Sequence, residues 1–320
     1  MKQPICVVIA FVLMLSCKQE DTLESKIAKI NIDVKVERFD TLFANVSKKS
    51  LTNLKQAYPF MFSEQYTDTF WLDKVGDTLQ QELYGEVKQT FGDFGLLEQE
   101  IGALYNHLKY YFPHFKVPRV ITTTSNVDYR NKVIVADTIN LIALDNYLGK
   151  DHRFYQNIPV YIRSSFDKDK MVIDLSSEYA KKYIPKTSHR TFLDKMVFYG
   201  KILYFGDVMV PFKTEALRVG YSNKELRWVQ TNETSIWQYF VEHELLYSTD
   251  SKLLGRFINP APFSKFYIEE IDTESPGRIG TYIGWQIVKA YMENNEVTLN
   301  EMLIAPADKI FNKSKFKPRK

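Results

Sequence analysis

The stretch that decides the fold is residues 93–124, DFGLLEQEIGALYNHLKYYFPHFKVPRVITTT. Its first two thirds repeat every three to four residues: Phe94, Leu97, Ile101, Leu104, Tyr105, Leu108 and the Tyr111/Phe112 pair fall on one helical face. Asp93 stands where an N-cap belongs, and Pro113 closes the helix. The last third is β-branched and alternating, so the spacing predicts a strand over 117–124. The pattern thus changes from period 3.6 to period 2 within a few residues.

Working outward, residues 132–136 and 140–144 read as further strands, and 31–39 alternates as another. Residues 158–164 read as a strand or a short connector. Residues 69–90 read as a helix. From Asp174 onward the chain reads as helices broken at Pro185, Pro211, Pro260 and Pro276. Helices, then a small sheet, then helices argue an α+β fold, mainly helical with a small central sheet, and not an alternating doubly wound one. There is no repeat and no low-complexity linker.

Composition narrows the class. The 320 residues are 45% hydrophobic and 14% aromatic, and 42 basic side chains face 39 acidic ones. A disordered chain and a disulfide miniprotein are excluded, and the balanced charge gives no footprint for nucleic acid. Lys2 precedes an uncharged apolar run, Ile5 to Leu15, too short to span a membrane. The run ends Leu13-Met14-Leu15-Ser16-Cys17, which resembles a bacterial lipobox with Cys17 as the acylated, palmitate-bearing residue. The only other cysteine, Cys6, lies in that signal. The divisions expected are a signal peptide over 1–16, a polar tether over 17–30, one α+β domain over 31–312 and a basic tail over 313–320. Lys313, Lys315, Lys317, Arg319 and Lys320 make that tail, which reads as a solvated terminus.

His243-Glu244-Leu245-Leu246-Tyr247 is one residue from the zinc string His-Glu-x-x-His, but a phenol replaces the second imidazole, and His107, His114, His152 and His189 have no matching spacing. The string reads as part of an amphipathic helix over 233–247. Gly277, Gly280 and Gly284 form no nucleotide loop and read as a close helix contact. No metal, cofactor or nucleotide is expected. Arg256, Phe257, Phe263, Phe266 and Tyr267 belong to a proline-stiffened aromatic loop that reads either as a lid on the core or as a binding surface.

The lipobox, Ile142 to Gly149, Gly200 to Tyr204, Arg256 to Tyr267 and Ser275 to Trp285 together resemble the gliding motility lipoprotein family GldB of Bacteroidetes. The resemblance implies a cell-envelope protein, anchored to a membrane through Cys17, that works with other gliding and type IX secretion proteins. More distantly, the order of elements is similar to gluzincin-type zinc peptidases. In the place of their zinc helix, Leu193 to Phe205 has neither His nor Glu, so that likeness implies a degenerate peptidase fold without catalysis. Tyr199, Lys201, Tyr204 and Glu233 would then line a vestigial cleft, with a Lys201–Glu233 ion pair in the vacated metal position. The rivals are a hydrolase using Asp145, Glu233 or His243, and a glycan- or peptide-binding lipoprotein.

Overall fold

The computed structural model describes residues 22–186 and 190–319; the signal, Cys17, His189 and Lys320 lie outside the described residues. Strands β1 (Val36–Glu37), β2 (Arg119–Thr123), β3 (Val133–Val135) and β4 (Ile139–Ala143) make one sheet in the order β1-β2-β4-β3. β1, β2 and β4 are parallel and β3 is antiparallel to β4, with Val120 opposite Asn140 and Val133 opposite Ile142. Alternation along β2 splits the interior: Val120 points into a large helical core and Ile121 into a smaller aromatic one.

The smaller core is built by α2 (Phe39–Ala44), α3 (Leu51–Ala57), α4 (Asp68–Gly76) and α5 (Thr78–Thr90), which follow α1 (Leu23–Ala28). Phe39, Phe43, Phe62 and Trp71 meet there edge-on or stacked, with centroids 5.1–6.1 Å apart. α6 (Gly95–Tyr111) carries the deciding stripe: Ile101, Leu104, Tyr105 and Leu108 are fully buried. α7 (Val160–Arg163) is a single turn, and α8 (Met171–Tyr183), α9 (Phe192–Met209), α10 (Glu215–Val219), α11 (Asn223–Thr231), α12 (Glu233–Glu242) and α13 (Glu269–Asp272) complete the large core with α14 (Ile279–Asn294), α15 (Leu299–Ile304) and α16 (Ala307–Ser314). The fold is α+β and mainly helical.

At the centre α9 crosses α14 backbone to backbone. A Cβ on Gly200 would lie 2.3 Å from the carbonyl carbon of Gly284, and one on Gly284 would lie 1.9 Å from the Met196 oxygen. The glycines are the close helix contact the sequence called for, and each gives up helix propensity to make it.

Several boundaries differ from the sequence reading. Residues 69–90 form two helices because Asp77 stops α4 and its carboxylate caps α5 at the Gln80 N–H, 2.9 Å away. Asp93 caps one residue early, at the Gly95 N–H, and Phe94 is the N-cap position of α6. Only Val36–Glu37 of the 31–39 alternation pairs as a strand, because α6 side chains take the upstream backbone: Asn106 accepts from Ile32 N (2.8 Å) and Glu98 from Val36 N (2.9 Å). Residues 158–164 hold the turn α7 and no strand. The helix expected to reach Tyr247 ends at Glu242, where Glu244 turns left-handed (φ 54°) and Leu245 N returns to Phe240 O.

Both ends are more ordered than expected. Within the supposed tether, Thr22 caps α1, Ile27 is buried, and Glu24 pairs with His107 at 3.2 Å. The basic side chains Lys313, Lys315, Lys317 and Arg319 face solvent, but the tail that carries them is docked: Phe316 packs edge-on against Trp237 at 5.2 Å, and Arg319 N donates to Glu233 Oε1 at 3.1 Å.

Candidate functional site

α9 begins with a capping box in which Thr191 and Asp194 satisfy each other's backbone N–H groups. Two turns on, Lys201 is only 6% exposed. Its ammonium donates to the carbonyls of Leu303 (2.8 Å) and Ala305 (2.6 Å), the closing residues of α15. Burial pushes that ammonium down to about 8. Lys201 borders a cavity of about 240 Å³ walled by Pro185, Asp194, Phe198 and Pro306. Tyr199 stands edge-on to Phe198, and Tyr204 looks toward Asp207, Tyr111 and Glu293, with burial raising its phenol. Neither tyrosine lines the Lys201 cavity.

Glu233, 1% exposed, opens α12. Its Oε2 accepts from the Tyr282 hydroxyl (2.8 Å) and its Oε1 from Arg319 N, with the Arg319 guanidinium 3.8 Å away. Burial and the Glu233 charge together hold the Tyr282 phenol far up. The Lys201–Glu233 ion pair is therefore not made: the lysine caps α15, while the glutamate ties α14 and the tail to α12. The four cleft residues have separate surroundings and do not assemble one cleft.

This arrangement carries a prediction. Glu233→Gln removes the charge that holds Arg319 and turns an amide donor toward donors. The tail should release, trypsin cleavage after Lys315 should speed up about tenfold, and stability should fall by about 1.5–3 kcal/mol, the worth of a hydrogen bond to a charged group. Timed digestion and urea unfolding check it.

The rival catalytic candidates are also spoken for. Asp145 is fully buried; its carboxylate accepts from Ser125 N (3.0 and 3.1 Å) and Val127 N (2.6 Å). Burial raises its pKa, and those hydrogen bonds oppose the rise. The loop it clamps runs left-handed at Asn126 and Val127 (φ 56° and 59°). His243 stacks on Tyr239 at 4.0 Å at the protein surface. No hydrogen bond or ion pair joins Asp145, Glu233 and His243, and among the described residues no three His, Cys, Asp or Glu side chains gather as a metal cluster.

The aromatic loop divides between the two roles open to it. After a π-helical turn over Leu254–Ile258, Phe257 and Phe266 are buried, whereas Phe263 and Tyr267 face solvent, Tyr267 with 66% of its surface. The Arg256 guanidinium lies 4.6 Å from both the Phe257 and the Tyr267 ring centroids and donates to Lys265 O (2.8 Å) and the Tyr239 hydroxyl (2.9 Å). Asp272 accepts from Phe266 N (2.5 Å) and Tyr267 N (3.0 Å), which holds Tyr267 in a left-handed conformation at φ 64°. A non-glycine residue there is costly and persists only where its surroundings fix it.

The family model described as gliding motility protein GldB matches residues 20–318. The chain belongs to the GldB family. No curated protein and no solved structure matches it. The matched range of this gliding motility lipoprotein takes in α1, the sheet, the glycine crossing, the Arg256–Tyr267 loop and most of the docked tail. Among the described residues no helix of this GldB-family chain is long and apolar enough to cross a membrane. Two features escaped the sequence reading. One is the outer edge of the smaller core, where the exposed rings of Tyr66 and Phe70 stack at 4.1 Å. The other is a groove at the end of α6. The groove joins segments far apart in the chain, for which local periodicity carries no signal; the Tyr66–Phe70 pair is local, but an exposed stacked pair leaves no mark on the core-facing stripe.

Proposed function

We propose that this GldB-family protein is a non-catalytic scaffold of the gliding machinery, acylated at Cys17 and held at the cell envelope, which engages other gliding and type IX secretion components through the Arg256–Tyr267 surface. Two or three acyl chains give stable attachment without a spanning helix. The observation that carries the reading is the Tyr267 ring: exposed, stacked on Arg256 and locked by Asp272 in an unfavourable conformation. Tyrosine and arginine on a rigid support are the residue types that dominate protein interfaces. The buried ionisable groups support the same reading, because Lys201, Glu233 and Asp145 are each taken up by bonds that hold helices, the tail and a loop in place.

Tyr267→Ser tests it. The side chain is solvent-facing, so folding stability should stay within about 0.5 kcal/mol of wild type. Cells carrying it at normal protein levels should lose most of their gliding speed. Gliding at wild-type speed would remove this surface from the mechanism.

A further inference from the structure

The acylated segment enters the body at a definite place. Four residues lie between Cys17 and Thr22, so the five residue-to-residue steps that join them reach at most about 18 Å. From Thr22 the polypeptide runs back along α6: Glu24 meets His107, Ile32 N meets Asn106, and Val36 N meets Glu98. The anchor therefore enters at the C-terminal end of α6. From His107 to Phe112 the helix rises only about 7.5 Å.

At that end lies a groove of about 520 Å³. Its floor is aromatic: Phe112 stacks on Tyr183 at 3.9 Å, and Phe115 stands edge-on to Tyr179 at 5.7 Å. Its rim carries His114, Lys116 and Lys182, with one acid, Asp137, paired to Lys182 at 2.5 Å. His114 and Lys116 are exposed, and neither pairs with a carboxylate among the described residues. Lys109 shapes the lip by donating to the carbonyls of Pro113 (2.8 Å) and Phe115 (3.0 Å). Between this groove and α1, Tyr110 and Tyr111 meet edge-on at 5.1 Å, with Tyr110 exposed. Tyrosines with an apolar body and a wet tip suit a membrane–water boundary.

We infer that this groove binds the anionic headgroup of a phospholipid in the membrane that holds Cys17, and so sets the body's orientation on it. The short reach brings the groove near the headgroup layer. The unpaired ammonium of Lys116 matches its charge, and a basic group near an anionic surface strengthens attachment. The ring-lined floor has the volume of a small-ligand pocket and far exceeds that of a water-sized ion, about 30 Å³. The inference rests on the acylation of Cys17, and the test separates the two.

The full lipidated protein is reconstituted into vesicles of phosphatidylethanolamine with phosphatidylglycerol, into vesicles of phosphatidylcholine, and into detergent micelles. Flotation reports the anchor, and amide hydrogen exchange over residues 114–117 reports the groove. Exchange should slow at least tenfold in the anionic vesicles relative to the micelles, and Lys116→Glu, at a solvated position, should abolish most of that slowing while flotation persists. Protein that floats with unchanged exchange overturns the groove alone, as does slowing that survives Lys116→Glu. Slowing produced in micelles by inorganic phosphate reassigns the pocket to a free anion and overturns the headgroup. Failure to float overturns the anchor and the groove together.

Discussion

A Gly284→Ala chain should lose about 3 kcal/mol of folding stability, at the upper end of what overpacking costs. The added methyl carbon would sit 1.9 Å from the Met196 oxygen and 2.3 Å from its carbonyl carbon, and both are backbone atoms that no rotamer change can move. Relief requires α9 and α14 to separate, and these helices carry fully buried Met196, Phe205, Trp285 and Ile287. The variant gains helix propensity, since alanine outranks glycine by about 1 kcal/mol, and the clash outweighs it. Gly206→Ala is the matched control. It lies on the other helix of the crossing, α9, with nothing within 4 Å of the new carbon, so it should stabilise by about 0.5–1 kcal/mol. Urea unfolding midpoints of the two variants should move in opposite directions. A Gly284→Ala protein as stable as wild type would mean that the helices are not pressed together there.

The second large effect is expected at Asp145. Asp145→Ala strips the acceptor from Ser125 N and Val127 N at once, beside a fully buried position. Unpaired buried donors cost about 1–3 kcal/mol each, and the left-handed residues Asn126 and Val127 lose the clamp that fixes them. A loss of about 3 kcal/mol follows. Amide exchange at Ser125 and Val127 should accelerate far more than in β4. Asp145→Asn, which keeps one acceptor oxygen, should fall between alanine and wild type. Equal exchange in all three would show that the carboxylate does not hold the loop.

The parts of this structure that follow from local rules were legible in the sequence. α6 and β2 announce themselves because a 3.6-residue stripe, a proline and a β-branched run stand in succession. The glycine crossing was legible in part: Gly284 makes it, because a helical glycine is costly without a close neighbour, whereas Gly280 meets Phe192 and Phe257 and Gly277 precedes α14 and packs on Ala261. What could not be read depended on distant partners. The 31–39 alternation is mostly not a strand because Asn106 and Glu98, on another element, claim its N–H groups. α12 stops without a glycine because Glu244 itself turns left-handed, which helix signals do not flag. The site was legible in type and not in pairing. Lys201 and Glu233 are indeed buried, but each finds nearer partners: the lysine in the carbonyls that end α15, the glutamate in Tyr282 and the C-terminal tail. The aromatic loop was open to two readings because it holds both, with Phe257 and Phe266 inward and Phe263 and Tyr267 outward.

If this lipoprotein acts as proposed, its buried polar groups maintain its shape and its activity in gliding resides on its surface. The direct measurement is single-cell gliding speed against the amount of folded protein, for cells producing Lys201→Met or Glu233→Gln at graded levels. Both variants should fall on the wild-type curve, slower only as far as less folded protein is present. A variant that is folded at wild-type amounts, melts normally and still leaves cells motionless would contradict it, and would place chemistry in the interior.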